Sequence, residues 1–266
     1  MAHVALRISY DGTEFHGFQS QSQYITIQSA LESHLGALLG AGRIIGASRT
    51  DSGVHADEQI VVWTGSSIIP LDRLSWVLNQ RLPVSIRVQN VAWVPVGWDP
   101  RRVVASKFYR YQIWRGPVPA RWARYVHRVD AFLGWDHLQA AAQLFEGMHD
   151  FSGFRSEGSS AKTTQRDVYT SSWEMSQEGR LWIYRVGANG FLYHMVRLMV
   201  AAMMEAAKTG SLRALKQALD CPTPYNRIKK LAPACGLTLE RIDIRPESLQ
   251  PSDNGEEDER CFGKWY

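Results

Sequence analysis

Twice along this 266-residue chain the hydrophobic periodicity runs strand, helix, strand, strand, helix, strand. That order is the split βαβ arrangement, and few folds accommodate it. In the first pass Val4, Leu6, Ile8 and Tyr10 alternate with polar residues until Asp11-Gly12-Thr13 turns the chain. Thr26 then stands as a helix cap before Ile27, Leu31, Leu35 and Leu38, which keep helical spacing up to Gly40 and Gly42. Strands are expected near 43 to 47 and 58 to 64, a helix after Pro70, and a strand at 85 to 94. The second pass predicts a strand at 106 to 114, a helix around Asp136 to Phe145, strands near 165 to 175 and 181 to 187, a helix from about 190 to 208, a short helix after Ser211 and an alternating strand from Leu237 to Ile244.

The expected fold is therefore α+β: two similar split-βαβ, ferredoxin-like halves forming a mixed, mainly antiparallel sheet with a central catalytic cleft. The Pro- and Gly-punctuated stretch from Pro95 to Pro100 marks the boundary, giving a first subdomain over 1–100 and a second over 101–245. Residues 246–266 form an acidic, Pro- and Ser-rich tail expected to be flexible.

Charge separates along the same lines. The net charge is +4, but the tail holds six acids against Arg260 and Lys264, which leaves the body at +8. Arg outnumbers Lys 23 to 7, and the planar guanidinium suits phosphate and base recognition. From Arg101 to Arg128 there are eight cations and no acid, interleaved with Phe108, Tyr109, Tyr111, Trp114, Trp122 and Tyr125. Cations for phosphates and aromatic faces for unpaired bases are what RNA recognition needs. The same alternation also describes a strand whose aromatics face a core.

Three scattered cysteines and no Cys-x-x-Cys or Cys/His cluster point away from a disulfide framework or a zinc site. No phosphate-binding Gly-Lys loop or dinucleotide fingerprint occurs, so neither a metal nor a nucleotide cofactor is expected. The first residues lack the pattern of a signal peptide, and a cytoplasmic protein is the expectation. The apolar run from Gly190 to Ala207 contains His194, Arg197 and Glu205, which argues for a packed helix rather than a membrane span.

The stretch Ser48-Arg49-Thr50-Asp51-Ser52-Gly53-Val54-His55-Ala56 places Arg, Asp and His around a Gly between two apolar runs. It reads either as a self-capping turn or as a polar loop held between strands, where rigid scaffolds place chemistry. Arg197, inside an almost wholly apolar helix, needs a carboxylate if it is buried, and Glu205 lies beyond the reach of i,i+4 pairing. Asp51 is the attractive partner: a neighbouring Arg would keep such a carboxylate ionised, and an ionised, fixed, desolvated Asp is a usable nucleophile. A competing motif, Ser9-Tyr10-Asp11-Gly12-Thr13, resembles the end of an aspartyl-phosphate phosphatase loop but has Ser9 where the nucleophile would stand.

Arg49 to Ala56 resembles the signature of the tRNA pseudouridine synthase A family, and the likeness extends over most of the body. It includes Tyr10-Asp11-Gly12, Gly17-Phe18-Gln19, Tyr109-Arg110-Tyr111, His149-Asp150-Phe151, Asn189-Gly190-Phe191 leading into His194-Met195-Val196-Arg197, and Ala232-Pro233-Ala234 with Gly236-Leu237. The resemblance implies isomerisation of uridine to pseudouridine at positions 38 to 40 of the tRNA anticodon arm, without cofactor or metal. It implies Asp51 as nucleophile, Arg197 as its salt-bridge partner, Tyr109 at the flipped base, Arg49 filling the vacated space, Leu237 beside the pocket, Arg110 among the RNA-binding residues, and a homodimer that takes tRNA across both subunits. Ser48, Phe18, Ser20 and Leu198-Met199 depart from the usual residues of that pattern, and the acidic tail lies outside it.

Overall fold

In the computed structural model, which describes residues 2–158 and 161–245, the chain is α+β with mainly antiparallel strand pairing. It divides into two compact units, one containing residues 2–105 and 239–245, the other residues 106–158 and 161–238. The tail beyond Arg245 lies outside the described residues, as does the flexibility expected of it.

The first unit opens with β1 (Ala2–Tyr10), whose Val4, Leu6, Ile8 and Tyr10 are buried as the alternation requires. Helix α1 (Ile27–Leu39) starts where Thr26 and Ser29 exchange backbone-to-side-chain hydrogen bonds of 3.0 and 3.1 Å, a reciprocal cap that satisfies two orphan donors. It buries Ile27, Leu31 and Leu35, each contributing about 1.5–3 kcal/mol. Strands β2 (Ile44–Gly46) and β3 (His55–Trp63), helix α2 (Leu71–Arg81) and strand β4 (Ile86–Pro95) follow. β1 pairs antiparallel with both β3 and β4, and β2 with β3, so the order is β4-β1-β3-β2, that of a split βαβ unit. A four-residue helix α3 (Pro100–Val103), capped by Asp99, leads into the second unit.

There β5 (Val104–Arg115) pairs antiparallel with β9 (Leu181–Ala188), β9 with β8 (Gln165–Ser176) and β8 with β7 (Gly147–Asp150). The short β6 (His127–Val129) pairs with β5 in parallel, which makes the strand set mixed. Helix α4 (Trp135–Gln143) is tied to β8 by Gln139, whose amide donates to the Trp173 carbonyl and accepts from the Trp173 N–H. Helices α5 (Met195–Thr209) and α6 (Arg213–Asp220) follow, and β10 (Leu237–Ile244) returns the chain to the first unit at Leu239.

Helix α5 begins five residues later than its apolar run suggests. His194 sits in the left-handed region at φ 64° and its imidazole Nδ1 meets Ser156 Oγ at 2.7 Å, so the residues before it turn instead of extending the helix. Strands β6 and β7, of three and four residues, and helix α3 are too short to produce a periodic signal. No helix among the described residues is long and apolar enough to cross a membrane.

Candidate active site

In the first unit, the segment from Ala47 to Val54 joins β2 to β3 and is pinned from four sides. The Ala47 N–H donates to the Ile60 carbonyl at 2.8 Å, continuing the strand pairing into the loop. Gln59, fully buried on β3, accepts from the Ser48 N–H at 3.1 Å and donates to the Ser48 carbonyl at 2.7 Å. The Tyr10 hydroxyl at the end of β1 meets the Thr50 hydroxyl at 2.8 Å, and the Phe18 N–H donates to the Thr50 carbonyl at 3.0 Å. Beyond Asp51 the Val54 N–H closes a turn on the Asp51 carbonyl at 3.1 Å, and Gly53 takes φ 77° to make that turn.

Two glycines allow the 12–18 segment to lie against this loop. A Cβ on Gly12 would stand 2.0 Å from the Val54 carbonyl oxygen, and one on Gly17 would stand 2.7 Å from that of Thr50, with Gly17 also at φ 83°. His55 is buried, and the Gly12 N–H donates to its Nδ1 at 3.1 Å. Asp11 Oδ1, 3.2 Å from the same nitrogen, accepts from the Thr13 N–H and hydroxyl. With Thr50 before it held by a buried hydroxyl contact and its own carbonyl engaged by the Val54 N–H, Asp51 is half-buried; Arg49, two residues earlier, is exposed.

In the second unit, β5 alternates Tyr109 and Tyr111 on one face with Arg110 and Gln112 on the other. Tyr109 is buried and meets Phe191 edge-on, with ring centroids 5.1 Å apart; Phe191 belongs to the segment that feeds α5. Tyr111 is fully buried, its hydroxyl donates to the Pro233 carbonyl at 2.9 Å, and burial pushes its pKa well above the ordinary phenol value. Arg110 Nε donates to Gln112 Oε1 at 2.8 Å. Arg197, the third residue of α5, is half-buried, and its Nε donates to the Ala232 carbonyl at 2.8 Å. That bond fixes the guanidinium plane and so the direction of its remaining donors, the property that suits Arg for holding a carboxylate. Leu237 is buried at the start of β10, just after Gly236, where a Cβ would stand 2.7 Å from Tyr111 Cζ.

The second unit thus gathers Arg197 and Tyr111 on the turn from Ala232 to Gly236, with Leu237 following it, and joins Tyr109 to the approach to α5. Of the residues that hold the Asp51 loop, Thr50 and His55 lie within the polar stretch read from the sequence and Tyr10, Gly12 and Gly17 within the Tyr-Asp-Gly and Gly-Phe-Gln triplets, whereas nothing in the sequence marked Gln59.

Part of the Arg101 to Arg128 stretch is core. Tyr111 and Trp114 are core residues, and Trp114 packs with Val126, Leu181 and Ile183, so on β5 these aromatics face inward rather than offering stacking platforms. Arg101 and Arg128 pair with acids just outside the stretch, Asp99 and Asp130. Arg102, Arg121 and Arg124 remain exposed. Among the described residues no group of three or more His, Cys, Asp or Glu is placed to hold a metal ion.

Against known proteins, residues 7–101 and 141–243 match the family model described as tRNA pseudouridine synthase. A protein of Acetivibrio thermocellus named tRNA pseudouridine synthase A is 38% identical over 246 residues, covering 91% of this chain and 99% of that one. One of the same name from Brevibacillus brevis is 37% identical over 90% of this chain and 98% of its own. The solved archaeal box H/ACA sRNP Nop10-Cbf5 complex aligns over 76% of this chain and 43% of that one at 14% identity and a TM-score of 0.33, too little likeness to add to the fold described above.

Proposed function

Because the chain belongs to the tRNA pseudouridine synthase family, an isomerase family, we propose that it converts uridine to pseudouridine at positions 38 to 40 of the tRNA anticodon arm with Asp51 as nucleophile. The observation that supports this reading is the Arg49-to-Ala56 loop itself: its Asp51 follows Ser48 and Thr50, which buried Gln59 of β3 and Tyr10 of β1 hold in place.

The reaction breaks the N1–C1′ bond, turns the base and forms a C5–C1′ bond; N1 gains a proton and C5 loses one, so no external oxidant or reductant enters. In this reading Asp51 attacks C6 of the base or C1′ of the sugar and holds the fragment during the turn. Arg197 serves as its counter-ion and keeps it ionised. Reaching the base requires extruding it from the stack, at a cost of about a few kcal/mol. Tyr109 meets the extruded base, exposed Arg49 fills its place in the helix, Leu237 packs beside the pocket and Arg110 adds an RNA contact. A homodimer in the cytoplasm is part of the same proposal.

The test is to incubate the protein with unmodified tRNA transcript and map pseudouridine by position. Formation at 38, 39 or 40 is expected; modification confined to other positions would overturn the assignment of the anticodon arm, and no pseudouridine at all would overturn the activity.

A further inference from the structure

Beside the Arg197 anchor, within the second unit, lies a cavity of about 350 Å³, of the size that takes small ligands. Its wall includes Leu231, Ala232 and Pro233, the segment whose carbonyls hold Arg197 and Tyr111. The lining combines three kinds of group. Ala201, Met204, Val129 and Leu231 supply an apolar floor. Lys208, from the last turn of α5, and Lys230 stand exposed at its rim, with Glu205 and Asp130 as the acids. Asp130 is engaged by Arg128 at 2.9 Å, whereas neither lysine forms an ion pair among the described residues. His127 contributes a ring nitrogen, Nδ1, that is buried without a hydrogen-bond partner among the described residues. Closed off from solvent, that nitrogen belongs to the wall and is not a group a ligand in the cavity would touch. Burial, and after it the ammonium groups of Lys208 and Lys230, lower the pKa of that imidazole.

An apolar floor and two ammonium groups that form no ion pair among the described residues match the base and the phosphate of a single nucleotide. Resting on the proposed activity toward tRNA, we propose that this cavity is an additional RNA-binding site that seats one unpaired nucleotide, its phosphate on Lys208 and Lys230 and its base against Met204 and Leu231. An acidic peptide would use the lysines but leave the floor unexplained.

Two measurements on the full chain test the site. In the first, the wild-type protein is acetylated with and without saturating unmodified tRNA transcript, and each lysine is quantified by mass spectrometry. Lys208 and Lys230 should be protected, while Lys216, exposed on α6 and outside the cavity, should not. In the second, the double variant Lys208→Ala and Lys230→Ala should bind the transcript several-fold more weakly and lower the slope of log affinity against log salt by about one. Equal acetylation with and without tRNA, or an unchanged salt slope, overturns the proposal. The protection experiment uses unaltered protein, so it decides the matter even if the variant folds poorly. Pseudouridine is assayed on the same transcript: an active protein with unprotected lysines loses this site alone, whereas an inactive protein loses the functional reading.

Discussion

The hydroxyls of Tyr10 and Thr50 meet at 2.8 Å across 40 residues of sequence, in the buried interior, one residue before Asp51. This contact ties the end of β1 to the candidate catalytic loop, and Thr50 is held a second time by the Phe18 N–H on its carbonyl. Tyr10→Phe would leave the Thr50 hydroxyl buried with one partner fewer. The expected cost is about 1–3 kcal/mol by chemical denaturation. Single-turnover rates should fall as well, because the backbone before Asp51 loses a restraint; an unchanged rate in a destabilised variant would show that this contact serves the fold only.

Gly17 is required twice over, by its φ of 83° and by the Thr50 carbonyl that a Cβ would meet at 2.7 Å. Gly17→Ala should therefore destabilise by about 1–3 kcal/mol and displace the loop. Gly36, on α1 with open space around its Cβ position, provides the contrast: Gly36→Ala should leave activity intact and raise the thermal midpoint. Differential scanning calorimetry of the two variants checks both signs.

Arg197→Lys keeps the charge but loses the Nε donor to Ala232 and the planar fork. Losing a hydrogen bond made by a charged group costs about 1.5–3 kcal/mol, visible in the thermal midpoint. Turnover should drop much further than stability, since an ammonium does not hold a carboxylate in one orientation. Turnover near that of the wild type would reduce Arg197 to a structural brace for the Ala232 turn.

Lys107 is half-buried on β5, and burial, reinforced by Arg166, lowers its pKa to about 8. Below that value both folded and unfolded states carry the proton and the folded state bears the full cost of the buried charge. Between about 8 and the ordinary lysine value of about 10.4 the unfolded chain holds a proton that the folded one has released, so stability rises with pH across that window. Lys107→Met should be more stable than the wild type near pH 7 and should lack this rise. Denaturation midpoints measured from pH 7 to 10 will show the difference converge with increasing pH; a constant difference would contradict the shift.

Local features of the fold were legible where one helix or strand explains itself. Thr26 with Ile27, Leu31 and Leu35 marks α1, and burial follows the alternation of β1 from Leu6 to Tyr10, with Ala5 buried as well. The start of α5 was not legible, because Phe191 and Leu192 extend the apolar run while the left-handed backbone of His194 leaves no periodic trace. On β5 Tyr109 and Tyr111, two residues apart, share a face that suits base stacking as well as a core strand, and only the folded chain, which buries Tyr111 with its hydroxyl on the Pro233 carbonyl, decides for Tyr111. For the site, the loop around Asp51 was legible as a cluster of chemistry, but its supports were not: Tyr10 and Gln59 act through contacts that only the folded chain creates.

The central claim is that Asp51, presented by this pinned loop, is the nucleophile. It is tested most directly by comparing wild-type protein with Asp51→Ala on unmodified tRNA transcript, measuring pseudouridine formed in a single turnover and transcript affinity in parallel. The wild type should form pseudouridine and the variant none above background, with affinity for the transcript retained. Pseudouridine formation by Asp51→Ala at a rate near that of the wild type would contradict the claim.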